Sequence, residues 1–160
     1  MTCCSETKKH KAMKLFHSGL NCAQATFVAF CEETGMDHDT ALRLSSSFGG
    51  GIGRLREVCG AVSGIAMAAG MLYGDYDPLD QEAKMRHYAF VQQMAERFRR
   101  ENGTIICREL LGLPEGSDAP TPEVRTETYY RNRPCAEYVG SAAAILETVI
   151  REREEDTAGH

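Results

Sequence analysis

Apolar positions recur along the chain at helical rather than alternating spacing. From Ser5 to His17, Ala12, Leu15 and Phe16 share one side while Lys8, Lys9, Lys11 and Lys14 lie mostly elsewhere, which predicts a helix ending before Gly19. Asn21 is a suitable N-cap for a second helix, Cys22 to Thr34, rich in Ala and Phe and stopped by Gly35. Asp37 or Asp39 can cap a third that runs to about Phe48. Gly49-Gly50-Gly51-Ile52-Gly53 then places four glycines in five positions, which neither a helix nor a central strand tolerates well.

The most apolar helix follows, Val58 to Leu72. Its closely spaced small residues (Gly60, Ala61, Ser63, Gly64, Ala66, Ala68) let a neighbouring helix or a cofactor approach its backbone, so it belongs at the centre. Asp77-Pro78 opens the longest helix, Leu79 to about Asn102, striped by Tyr88, Val91, Met94, Ala95 and Phe98 and ended by Gly103. Ile105 to Leu111 predicts a short helical turn, and Leu113 to Pro122, with three prolines and Gly116, a surface loop. Pro134 starts a last helix through Val139, Ala143, Leu146 and Ile150, fraying into the charged run Arg151 to Asp156. Gly103–Cys107 and Thr126–Tyr130 have some β-propensity, but neither has a partner at hairpin spacing. The expectation is all-α: one compact bundle of about five to seven helices, its core spanning about residues 5–150 and its termini frayed.

Composition narrows the partners. The 160 residues suffice for one domain, and 42% apolar with 26% charged residues is the profile of an ordinary soluble globular protein. Lys and Arg number 18 against 23 acidic residues, a formal charge of −5, and no basic tract appears, so nucleic acid is not an expected partner. Met1 to Lys14 lacks the apolar core of a signal peptide, and no apolar run reaches the roughly 18 residues of a membrane span. A cytoplasmic protein without membrane insertion is expected.

Seven cysteines in a reducing compartment argue against a permanent disulfide framework and raise metal ligation or working thiols. Cys3 and Cys4 lie in the first residues, where chains are usually loose. Cys31 falls nine residues after Cys22, about 180° away on a straight helix, and reads as a small buried hydrophobe. Cys22, Cys59 and Cys135 stand at predicted helix starts, and Cys107 in the short helical turn. There free backbone N–H groups and the positive end of the dipole favour thiolate over thiol. Four converging thiolates suit zinc or an iron–sulfur cluster; two at a time suit a redox disulfide. Spacing alone leaves these open beside buried, incidental cysteines, since no C-x-x-C knuckle is present. No C-x-x-C-H occurs either, so no covalent haem is expected.

The glycine run is not a dinucleotide fingerprint, because Ser45-Ser46-Ser47 rather than a strand precedes it. Instead Gly49, Gly50, Gly51, Gly53 and Gly60 are candidates to bring bare backbone against the thiol site and donate N–H bonds to sulfur. His17 is placed to approach Cys22, or to satisfy its own helix end. Arg54 and Arg56 are placed to balance thiolate charge or bind an anion, or else to lie in solvent. Met67, Met71, Met85 and Met94 read as core filling.

The chain resembles the redox-active family named for its C-GCAxxG-C-C cysteine pattern. The matching text is Gly19-Leu20-Asn21-Cys22-Ala23-Gln24-Ala25, then Ser47-Phe48-Gly49-Gly50-Gly51-Ile52-Gly53-Arg54, then Cys59-Gly60-Ala61-Val62-Ser63-Gly64, and the isolated Cys107 and Cys135. Where the family label prints Gly-Cys-Ala, this chain has Cys-Gly-Ala. The resemblance implies a small helical redox protein with Cys22, Cys59, Cys107 and Cys135 as its functional residues. The chain is also similar, more distantly, to a domain of split-Soret cytochrome, where that domain accompanies an iron–sulfur centre and c-type haem. The first expectation is therefore an iron–sulfur electron-transfer protein held by these four cysteines. The alternatives are a thiol–disulfide oxidoreductase built on Cys59 and one partner, and a Cys4 zinc-stabilised interaction module. A redox partner protein is expected, and self-association as a homodimer stays open.

Overall fold

The structure is a computed structural model that describes residues 6–159; Cys3, Cys4 and His160 lie outside the described residues. It is all-α, as the pattern predicts. Among the described residues seven helices have six residues or more: α1 (Lys8–His17), α2 (Cys22–Val28), α4 (His38–Ser45), α6 (Gly60–Tyr73), α7 (Gln81–Asn102), α9 (Glu127–Asn132) and α10 (Cys135–Ala158). Single turns α3 (Cys31–Thr34), α5 (Gly49–Ile52) and α8 (Cys107–Leu110), and a 3-10 turn over Ser46–Phe48, join them. The single β feature among the described residues is an isolated antiparallel bridge, Val58 to Ile106. No helix among them is long and apolar enough to cross a membrane.

Local chemistry sets most of the boundaries. Asn21 accepts from the Gln24 N–H while the Gln24 side chain accepts from the Asn21 N–H, a capping box that starts α2 at Cys22. Thr7, Asp37 and Asp80 cap α1, α4 and α7 in the simpler way. The expected helix Cys22–Thr34 is broken at Ala29–Phe30. Lys8 Nζ donates to the Ala29 carbonyl at 3.1 Å and sits over the buried Phe30 ring, so a tertiary partner takes a group the helix would otherwise use.

Helices α2, α6 and α10 form the centre, with α1 and α7 packed against α10. Gly64 explains the closest approach. A Cβ there would overlap the Thr26 hydroxyl and stand 2.8 Å from the Ala23 carbonyl, so α2 meets α6 backbone to backbone. The small residues thus admit a neighbouring helix. On α7 the buried residues are Phe90, Met94 and Phe98, an i, i+4, i+8 row, while Tyr88 of the expected stripe is exposed. Phe16, Phe27, Phe30 and Phe98 are fully buried, and truncating any one to Ala costs roughly 3–5 kcal/mol.

Two further expectations are corrected. The run Arg151–Asp156 does not fray: α10 continues to Ala158 because Arg97 grips both Glu152 oxygens, at 3.2 and 2.8 Å. Arg153 also lies over the Tyr73 and Phe90 rings, at 4.3 and 4.4 Å. Thr126–Tyr130, read as weakly β-prone, instead caps and opens α9. The Thr126 hydroxyl accepts from the Tyr129 N–H, and Tyr130 packs edge-on against Phe16.

Candidate functional site: a four-cysteine cavity

Each of the four cysteines sits at the start of a helix: Cys22 opens α2, Cys107 opens α8, Cys135 opens α10, and Cys59 is the N-cap residue of α6. The fold brings all four onto the wall of one cavity of about 200 Å³. Cys31 does not line it.

The isolated bridge aligns two of them. The Cys59 N–H donates to the Ile105 carbonyl at 2.8 Å, and the Cys107 N–H to the Glu57 carbonyl at 2.7 Å. Flanking the Val58–Ile106 pair in this way, Cys59 and Cys107 project from the same face of the bridge, opposite to Val58 and Ile106.

The glycines shape the other wall. Residues 50–54 run left-handed, at φ +66° for Gly50, +65° for Gly51, +65° for Ile52, +54° for Gly53 and +69° for Arg54. Ile52 is a β-branched residue in that region, a strained conformation. Gly51 is buried, and a Cβ on it would stand 2.7 Å from the Glu57 nitrogen and 2.8 Å from the Cys107 Cβ. At Gly60 a Cβ would stand 3.1 Å from that of Cys22. Gly49, Gly50, Gly51 and Gly60 line the cavity; Gly53 does not, and serves only to close the left-handed turn. The Ala61 and Val62 N–H groups bear on the Cys59 sulfur, and the glycines let other segments close in on the cavity.

The four thiols are electrostatically unequal. Cys22 and Cys135 act on each other: interaction with the Cys135 thiol, together with burial, pushes Cys22 well above the ordinary thiol range. The same interaction with Cys22, reinforced by Arg133, Arg125 and Arg56, holds Cys135 below it. Burial pushes Cys59 up to about 12, although the Ala61 and Val62 N–H groups pull the other way. Burial also raises Cys107, opposed by Arg56, whose Nη1 donates to the Cys107 sulfur at 3.5 Å. Of the two arginines singled out in sequence, Arg56 is therefore buried at the site rather than solvated.

A segment without helix or strand, residues 113–126, crosses the same region as a strap. Asp118 accepts from Arg56 Nε at 2.8 Å and from Arg54 Nη2 at 3.3 Å, and Arg54 Nε donates to the Ala119 carbonyl at 2.7 Å. Pro122, Glu123 and Arg125 line the cavity, and Glu123 pairs with Arg133. The predicted surface loop thus contributes to the site. Arg125 and Asp118 carried no sequence signal; Arg133 did, standing two residues before Cys135. His17 lies outside the lining and packs on Tyr130 at 4.7 Å.

The family profile described as "Putative redox-active protein (C_GCAxxG_C_C)" matches residues 20–149. The chain belongs to that family. Membership supports a redox role, and the matched span contains all four cavity cysteines. The chain is also similar to an Archaeoglobus fulgidus protein described only as uncharacterized. They are 26% identical over 157 residues, which cover 93% of this chain and 97% of that one. No solved structure matches the chain significantly.

Among the described residues no three Cys, His, Asp or Glu side chains are arranged to hold a metal ion. A single zinc ion needs sulfurs about 2.3 Å from one point, and that set is not preformed. For an iron–sulfur cluster the donor chemistry fits: four thiols on one cavity, with arginines beside them to offset thiolate charge.

Proposed function

We propose that the chain is a thiol–disulfide redox protein whose working pair is Cys135 and Cys22. The observation that carries this reading is that Cys22 and Cys135, the opening residues of α2 and α10, line one cavity together with Arg125 and Arg133 and bear on each other's acidity. A thiolate is the nucleophile in exchange chemistry, and a neighbouring thiol plus guanidinium groups favour the thiolate over the thiol.

The Cys135 thiolate attacks one sulfur of a substrate disulfide, forming a mixed disulfide and expelling the other sulfur as a thiolate. Cys22, once deprotonated, then attacks the Cys135 sulfur and expels the second substrate thiolate. The substrate disulfide gains two electrons and becomes two thiols, while the protein dithiol becomes a Cys22–Cys135 disulfide. Cys59 is a poor attacking group, its thiol pushed up to about 12 by burial. The pair therefore moves from Cys59, where sequence alone put it, to Cys135 and Cys22.

The test is to oxidise the reduced protein with a small disulfide and map the bridge by mass spectrometry. A Cys22–Cys135 bridge is expected, with Cys22→Ser trapping a mixed disulfide on Cys135. A bridge elsewhere, or no loss of thiols, overturns the reading.

A second reading is favoured by the convergence of all four cysteines: Cys22, Cys59, Cys107 and Cys135 as ligands of an iron–sulfur cluster. Such a cluster supplies one-electron transfer when bound. Protein purified without oxygen distinguishes the two. Iron and visible absorbance, each lost on replacing any of the four by Ser, support the cluster; colourless, iron-free protein removes it.

A further inference from the structure

We infer that the cavity selects small disulfides that carry an anionic group, and that Arg125 is the residue that binds that group. The inference rests on the thiol–disulfide reading and adds to it a class of substrate.

Size comes first. A cavity of about 200 Å³ with the strap across it holds a molecule of amino-acid dimensions, well below the several hundred Å³ of drug-sized pockets. Charge comes second. Arg54, Arg56, Arg125 and Arg133 all line the cavity, against the carboxylates of Asp118 and Glu123. The site is thus locally cationic within a chain whose formal net charge is −5. Long-range attraction from the whole protein would favour a cation, so a preference for anions can come only from the site itself.

The four arginines are not equivalent. Arg54 and Arg56 share Asp118, and Arg133 pairs with Glu123. Arg125 has no carboxylate within ion-pair distance among the described residues. Its guanidinium lies 4.4 Å from the Phe16 ring centroid and 4.9 Å from that of Tyr129. Its N–H groups reach only the Phe16 and Leu20 carbonyls, at 3.5 and 3.4 Å. The aromatic faces orient the planar fork, and these long bonds leave donors for a carboxylate, which guanidinium groups grip in two places. Arg125 and Cys135 line the same cavity of about 200 Å³, so an anionic tail held by Arg125 keeps the rest of a small disulfide within the space that Cys135 borders. Leu110, Leu111 and Tyr138 supply an apolar wall for the remainder.

The experiment compares two disulfides of similar size and opposite charge, dithiodiglycolate and cystamine, as oxidants of the fully reduced protein, followed by loss of thiols. Dithiodiglycolate is expected to oxidise the Cys22–Cys135 pair at least about tenfold faster, an advantage that shrinks as salt is raised to about 0.5 M. Arg125→Gln should bring the ratio to within about threefold, and Arg125→Lys should restore part of it. Equal rates in the parent protein, or a salt-independent ratio, overturn the anion selectivity. A ratio unchanged in a helical, folded Arg125→Gln protein overturns the assignment to Arg125. If Arg125→Gln does not fold, the salt response of the parent protein and the ratio in Arg125→Lys decide the question. Failure of both disulfides to oxidise the pair, under conditions where both oxidise free cysteine, removes the underlying exchange reading instead.

Discussion

Arg56 donates to the Cys107 sulfur at 3.5 Å while the same guanidinium closes on Asp118 at 2.7 Å, so one buried cation ties a cavity thiol to the strap. The thiol environment and the closure of the strap are thereby coupled through a single side chain. Asp118 is held below the usual carboxylate range by that contact, so the tie persists above the ordinary carboxylate pKa and is lost only on acidification below it.

Asp118→Asn is expected to loosen residues 113–126 and leave Arg56 without its carboxylate. Limited proteolysis at neutral pH should cut within that segment faster than in the parent protein, with the helical circular dichroism unchanged. Equal cutting rates would show that Asp118 does not hold the strap.

The four thiols should not alkylate at the same rate. Cys135, held below the ordinary range chiefly by the Cys22 thiol, is expected to react first near neutral pH, ahead of Cys22, Cys59 and Cys107, which are all raised. In Cys22→Ala the principal stabiliser of the Cys135 thiolate is gone, so the pH midpoint of Cys135 alkylation should move upward. Mass spectrometry of the alkylated peptides across pH reads both effects.

Stability should decline in alkali. Cys59 ionises near 9 when unfolded but is pushed up to about 12 in the fold, so the unfolded chain releases its proton first. The contribution is intact below about pH 9 and is lost as the pH rises toward 12, with a slope of up to about 1.4 kcal/mol per pH unit. Cys22 and Cys107 are raised as well and act in the same direction. Urea unfolding from pH 8 to 11 should show a shallower decline in Cys59→Ala than in the parent protein.

Gly51→Ala should cost about 2 kcal/mol or more, because the added methyl meets the Glu57 nitrogen and the Cys107 Cβ at a positive φ. Gly53→Ala, equally left-handed but with open space around it, should cost only about 1 kcal/mol. Denaturant midpoints of the two variants test whether packing against Cys107, and not backbone conformation alone, demands the glycine.

Local chemistry leaves its mark in the sequence, whereas a distant partner that alters an element leaves none nearby. Asn21 with Gln24, and Asp37, are complete capping signals within a few residues, and those helix starts stand where they were expected. The break at Ala29–Phe30 depends on Lys8, and the persistence of α10 through Arg151–Asp156 depends on Arg97, Tyr73 and Phe90. Neither influence is near in sequence, so neither left a local trace. The α9 helix was hidden because Thr126, Tyr129 and Tyr130 carry β-propensity that a side-chain cap and packing on Phe16 override.

The site divides along the same line. The sequence by itself determined that the protein is all-α, that Cys22, Cys59 and Cys135 stand at helix starts, and that the glycine run cannot be ordinary helix. These follow from periodicity, caps and backbone sterics, which act over a few residues. Only the tertiary structure decided that the four cysteines share one cavity, because their convergence depends on Gly64 letting α2 close on α6 and on the Val58–Ile106 bridge. It alone set Cys135 below the ordinary thiol range and Cys22, Cys59 and Cys107 above it. A thiol's acidity depends on burial and on charges within a few ångströms, and the Cys22 thiol, Arg125 and Arg56 reach Cys135 only through the fold.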